Sequence, residues 1–82
     1  MVRIMFEKRK LKKAIAESEA TIEDLELKRN RSQAAILHAT VNKLEPPEAD
    51  KEIFNLYTQL IDLERKHLVS LNEELEKLNQ LQ

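Results

Sequence analysis

Residues suited to catalysis or metal binding are few in this sequence and far apart. The two histidines, His38 and His67, are distant from one another, and neither has a second histidine at the spacing that puts zinc ligands on one helical face. There is no cysteine to act as a nucleophile, and no glycine for a phosphate-binding loop. The pattern predicts that the protein is not an enzyme and that it has no catalytic residue, cofactor or metal site.

Charge is unevenly distributed along the chain although the net charge is −1. Residues 1–13 carry six basic side chains against one acid, whereas residues 45–82 carry nine acids and four bases. A basic run can attract nucleic acid or an anionic membrane, but the acidic remainder would repel phosphate. We therefore expect a solvated helix end, and neither nucleic acid nor membrane is favoured as a partner.

No apolar stretch approaches the length of a membrane span or of a signal-peptide core. Arg3 interrupts the apolar start, and the segment from Glu7 to Lys13 is charged. On this pattern we expect a soluble, cytoplasmic protein.

The adjacent prolines Pro46 and Pro47 mark the main break in an otherwise helix-forming sequence. Proline ends one helix and is tolerated at the start of the next. The pattern predicts an all-α fold, a two-helix antiparallel coiled-coil hairpin with a Pro-Pro turn. Helix 1 is expected at about 11–44, the turn at 45–47 and helix 2 at about 48–81.

Both predicted helices carry a stripe of mainly apolar residues at alternating spacings of three and four, and these stripes predict how the helices pair. Folding about the prolines places Ser18 opposite Leu75 and Arg29 opposite Glu64, and we predict that Arg29 and Glu64 form an ion pair in the seam. The alternative is that both side chains extend into water. The predicted seam residues are Leu11, Ile15, Ser18, Ile22, Leu25, Arg29, Ser32 or Gln33, Ile36, Thr40 and Leu44 in helix 1, and Ile53, Tyr57, Leu60, Glu64, Leu68, Leu71, Leu75 and Leu78 in helix 2.

This pairing leaves the N-terminal residues 1–10 as an overhang. Helix 2 would reach back only to about Leu11, so the overhang would have no partner within the chain. Such a segment is either disordered or free to contact another protein, and the hairpin proper would comprise residues 11–82.

Apolar residues near the turn span a wider arc than one partner helix can cover. We expect them to be exposed and to bind a partner protein. These partner-binding candidates are Leu37, Val41, Phe54, Leu56, Ile61 and Leu63. Aspartate at both Phe54 and Ile61 is then expected to abolish association and leave the hairpin folded.

The turn Asn42-Lys43-Leu44-Glu45-Pro46-Pro47-Glu48, followed by the apolar segment Ile53 to Leu63, resembles the turn region of the small E-type co-chaperones of bacterial type III secretion systems. The resemblance implies a role in protein transport and virulence. Such a protein would join a tetratricopeptide-like co-chaperone and hold the needle subunit unpolymerised. The alternative from the residues alone is a structural homo-oligomer, with two hairpins forming a four-helix bundle, or an adaptor; the hairpin could also be a homodimer when alone.

Overall fold

A computed structural model describes residues 2–81, which form an all-α antiparallel hairpin. Helix α1 is Val2–Val41 and helix α2 is Glu48–Gln80, and the two pack against each other along their length. The molecule is a rod of 62 × 16 × 14 Å, as the rise of a helix of this length requires. Met1, assigned above to the overhang, and Gln82 lie outside the described residues.

The helix bounds differ from the prediction at both ends of α1. The helix begins at Val2, so residues 2–10 are continuous with it, and it ends at Val41 instead of Leu44. The connection therefore covers 42–47. Helix α2 begins at Glu48 as expected and ends at Gln80.

A left-handed residue ends α1 before the prolines are reached. Lys43 has a φ of 57°. Its backbone N–H donates to the Thr40 carbonyl at 3.1 Å, and the Leu44 N–H donates to the Ala39 carbonyl at 2.8 Å. This pair of bonds is the Schellman motif, which usually places glycine at the left-handed position. Since the chain has no glycine, a lysine occupies it.

The prolines open α2 and have no part in ending α1. Pro47 is the N-cap residue, and its carbonyl accepts from the N–H groups of Asp50 and Lys51. Glu48 and Asp50 place negative charge in the first turn, where the helix dipole favours it.

The α1 seam is an unbroken heptad pattern from Ile4 to Ala39. Its most buried residues are Ser18, Ile22, Ser32 and Ala39. Thr40 and Leu44, which the prediction put in the seam, are exposed. Ala39 is the seam residue instead of Thr40, because it keeps the alternating spacings of three and four residues between successive seam positions.

The α2 seam contains Phe54 and Ile61 where the prediction had Ile53 and Leu60. Ile61 is fully buried and Phe54 is half-buried, whereas Ile53 and Leu60 each keep more than a third of their surface in water. The observed seam runs at strict spacings of three and four, while the predicted one contains two successive steps of four. A strict heptad keeps the same face of α2 towards α1, which explains why Phe54 and Ile61 are in the seam. The observed seam residues are Phe54, Tyr57, Ile61, Glu64, Leu68, Leu71, Leu75 and Leu78.

The pairing of the helices is shifted by about three turns from the predicted one. Ser18 meets Glu64 instead of Leu75, with its hydroxyl 2.7 Å from the carboxylate. Arg29 lies against Phe54. Since both helices rise equally per residue, α2 begins roughly level with Ala35 of α1. Residues 42–47 therefore run back beside the end of α1, a path that a tight turn at Pro46 would not follow.

The shifted pairing shortens the N-terminal overhang. Residues from both ends of the chain line one open cleft of about 390 Å³, so α2 reaches past Leu11. The side chain of Ile4 is still half-buried, whereas Val2, Met5 and Phe6 are exposed. The lining residues are Glu7, Lys10 and Leu11 from α1, and Glu74, Lys77 and Leu78 from α2.

Candidate partner-binding surface

Glu64 and Arg29 do not form the predicted seam ion pair. Glu64 accepts a hydrogen bond from the Ser18 hydroxyl. The Arg29 guanidinium lies over the Phe54 ring instead, 6.0 Å from its centroid, within the range of a cation–π contact. The prediction is wrong because the three-turn shift separates the two residues along the rod.

The six predicted partner-binding residues do not form one surface. Phe54 and Ile61 belong to the seam, so the expectation that both are exposed is wrong. The other four are exposed as expected: Leu37, Val41, Leu56 and Leu63. Whether any of them binds a partner stays a prediction.

The exposed residues lie on opposite flanks of the hairpin. Leu37 lies three turns beyond Glu26, on the same side of α1, and Val41 follows one turn later. Glu26 pairs with Arg65 of α2 at 3.6 Å and so marks this flank. Leu56 and Leu63 lie on the other flank of α2, as their helical positions relative to Ile61 require.

Four apolar side chains form a continuous stripe on that second flank. We call Ile53, Leu56, Leu60 and Leu63 the α2 stripe. Their exposed fractions are 39%, 52%, 37% and 62%. They recur at spacings of three, four and three, so they share one face of α2 over about 15 Å. Ile53 and Leu60 were assigned to the seam by the sequence, and the same heptad test that corrects the seam identifies them as part of this stripe.

Helix α2 therefore carries two heptad patterns side by side. The first is the seam against α1, and the second is the α2 stripe, continued at its ends by Ala49 and His67. A helix with two such faces is typical of bundles in which each helix packs against two neighbours. In this hairpin, one of the two faces packs against α1 and the other is exposed to solvent.

Charged and polar residues border the α2 stripe. Glu52, Gln59 and Lys66 follow its outer edge, away from α1. On the α1 side, Lys28 pairs with Asp24 at 2.9 Å. The hydrogen bond from Lys28 to Asp24 raises the pKa of that lysine above its usual value, and the Asp24 charge acts in the same direction.

The described residues offer no convergent chemical site. Within 2–81, no three histidine, cysteine or acidic residues are grouped so as to hold a metal ion. The His38 ring lies beside the amide of Asn42, the first residue after α1, with 3.3 Å between Nδ1 and Nδ2. Among the described residues 2–81, no helix is both long and apolar enough to cross a membrane.

Comparisons with known proteins find no matching family model, no similar curated protein and no similar solved structure. The α2 stripe is therefore interpreted from its own geometry: an apolar, heptad-spaced helix face with a polar border. Such a face can pack against a helix, because each side chain can insert between four side chains of a facing helix.

Proposed function

We propose that this hairpin is a non-enzymatic binding module that packs a helix of another protein against the α2 stripe. The observation that carries the proposal is the second heptad pattern on α2, exposed beside the first. A partner that presents i, i+3, i+4 and i+7 apolar residues would complete the packing. Its chemistry is that of an amphipathic helix.

The apolar area of the α2 stripe supports binding energetically. Full burial of each isoleucine or leucine is worth about 1.5–3 kcal/mol, and these four side chains are already partly covered. Association must also offset the lost freedom of the two molecules. A stripe of this size fits a partner that is held and then released, which is what a chaperone requires.

Within this function, we propose the more specific role of a cytoplasmic co-chaperone of type III secretion, acting with a tetratricopeptide-like chaperone on the needle subunit. The support is the resemblance of the 42–48 turn together with the helix-binding geometry of the stripe. A subunit that polymerises through a helical face is kept monomeric if that face is covered.

The test is co-expression with a needle subunit and its tetratricopeptide-like chaperone, followed by size-exclusion chromatography. We expect one complex with the wild-type hairpin and none with Leu56→Asp/Leu63→Asp. The matched control is Val69→Asp, because Val69 is similarly exposed but lies on the other flank. Helical circular dichroism of each variant checks that the hairpin is folded.

The possible results separate the two levels of the proposal. If the wild type forms no complex with the needle subunit, the secretion role is wrong. If the complex forms and survives the paired aspartates, the α2 stripe is not the binding surface. A Leu37→Asp/Val41→Asp variant in the same assay reports whether the opposite flank contributes.

A further inference from the structure

We infer that two copies of this chain associate through their α2 stripes, packed antiparallel about a two-fold axis between Leu56 and Leu60. In an antiparallel pair the two kinds of heptad position face each other across the seam. Ile53 then faces the partner's Leu63, and Leu56 faces the partner's Leu60. The stripe is self-complementary because large aliphatic side chains meet at every level.

Charge complementarity favours this arrangement. The axis that pairs the apolar residues also brings Glu52 opposite the partner's Lys66, and symmetry repeats the pair at the other end. Gln59 meets its own copy in the middle. Both charged side chains are exposed, and neither belongs to the ion pairs that the structure shows within residues 2–81.

A parallel pair would lack these contacts. Parallel heptads oppose each outer border position to a position on the other border of the partner helix. Glu52 would then face Tyr57 and Lys66 would face Leu71, with no opposite charge at either place. The outer border of the stripe thus favours the antiparallel pair.

The resulting assembly is a four-helix bundle of two hairpins. Its interface is isologous, since the same patch serves both copies. This inference concerns the purified chain alone and is independent of the proposed function. The same surface would be occupied by a second copy until a different helix displaces it.

The experiment is sedimentation equilibrium of the purified protein over a concentration series, with charge-reversed variants. We expect a monomer–dimer equilibrium for the wild type. Glu52→Lys and Lys66→Glu should each weaken the dimer on the order of tenfold, because each places two like-charged pairs across the interface. Both substitutions are on the exposed surface, and circular dichroism confirms that the variants are folded.

Mixing the two single variants provides the decisive measurement. In a mixed dimer, Lys at 52 of one copy faces Glu at 66 of the other, and the second pair is likewise opposite in charge. We expect the mixture, and the double variant Glu52→Lys/Lys66→Glu alone, to dimerise about as well as the wild type.

Three results would overturn the inference. A wild type that stays monomeric throughout the series excludes the dimer, without bearing on a different partner. Charge reversals that leave dimerisation unchanged, or a mixture that does not recover, exclude the antiparallel pairing. A Leu60→Asp variant that still dimerises would place the interface elsewhere.

Discussion

At the scale of single residues, two neighbours in α2 have opposite environments. Ile61 has no exposed surface, whereas Leu60 is among the exposed large apolar residues. One position along a helix rotates a side chain by about 100°, so a small error in the seam reverses the role assigned to a residue. Side-chain type does not separate the two, because both are large and aliphatic.

This difference gives a direct stability test. Ile61→Ala should lower the free energy of unfolding by about 2–5 kcal/mol, because it opens a cavity at the best-packed point of the seam. The measurement is urea unfolding followed by circular dichroism. For the same reason, aspartate at Ile61 would unfold the hairpin, so it cannot serve as a probe of partner binding.

Leu60→Ala is the matched control for that measurement. It removes an aliphatic side chain of the same size from the adjacent position, but one that water already reaches. We expect a clearly smaller loss than at Ile61, since Leu60 keeps 37% of its surface in water and its truncation leaves no enclosed cavity. Equal losses for the two variants would contradict the observed seam.

The polar residues of the seam also acquire their partners at this scale. The Ser18 hydroxyl satisfies one oxygen of the half-buried Glu64, and the Phe54 ring lies beneath the Arg29 guanidinium. The sequence predicts an ion pair between Arg29 and Glu64 because their opposite charges occupy matching positions in the two stripes. The helices instead satisfy each charge separately, because the early end of α1 and the path of residues 42–47 set a level of pairing at which the two residues lie apart.

At the scale of the elements, the end of α1 depends on one strained residue. A non-glycine residue in the left-handed region costs about 1–2 kcal/mol, and Lys43 has this conformation. The two capping hydrogen bonds that follow from it offset the cost, because they satisfy carbonyls at the helix end.

Lys43→Gly should therefore stabilise the hairpin. We expect a gain of about 1 kcal/mol in the free energy of unfolding, reduced in part by the greater freedom of glycine in the unfolded chain. The urea midpoint measures it. Asn42→Gly, one residue earlier, is the control and should bring no such gain, since φ at Asn42 is not positive.

In both helices, strict alternation of three- and four-residue spacings distinguishes the seam residues from their neighbours. Thr40 in α1 and Leu60 in α2 look acceptable as seam residues because they are near the correct face. Each of them breaks the alternation of three and four, whereas Ala39 and Ile61 keep it. A small residue such as Ala39 is easily overlooked, although it is among the most buried side chains of α1.

At the scale of the whole molecule, a two-helix rod cannot enclose a core. Each helix has one neighbour, so most seam residues are only half-buried. The apolar residues that face away from the seam remain in water, and the α2 stripe is the largest regular set among them. This geometry, more than any single residue, is the physical reason to expect a second chain.

The alignment of the two helices can be checked by crosslinking, because the chain has no cysteine of its own. A Ser18→Cys/Glu64→Cys variant should form an intramolecular disulfide on mild oxidation, since the two side chains are in contact. Ser18→Cys/Leu75→Cys should not, because these positions are about three turns apart in the structure. Mass spectrometry after alkylation distinguishes the two results. Crosslinking of the second pair and not the first would restore the predicted pairing.

The sequence by itself determined the two helices, their antiparallel return and the start of α2 at Glu48. These features depend on local physics: helix-forming residues, prolines and heptad spacing. It also placed Leu37, Val41, Leu56 and Leu63 correctly on the surface, since each of them lies outside both the predicted and the observed seam.

Only the tertiary structure decided the level at which the helices meet, and with it the contacts of Ser18, Arg29 and Glu64. It also decided that Ile61 is buried and that Ile53 and Leu60 join the α2 stripe. Heptads repeat, so apolar stripes can match at several levels that differ by whole turns. The early reversal at Lys43 and the path of residues 42–47 select one of them, and neither is encoded in the apolar pattern.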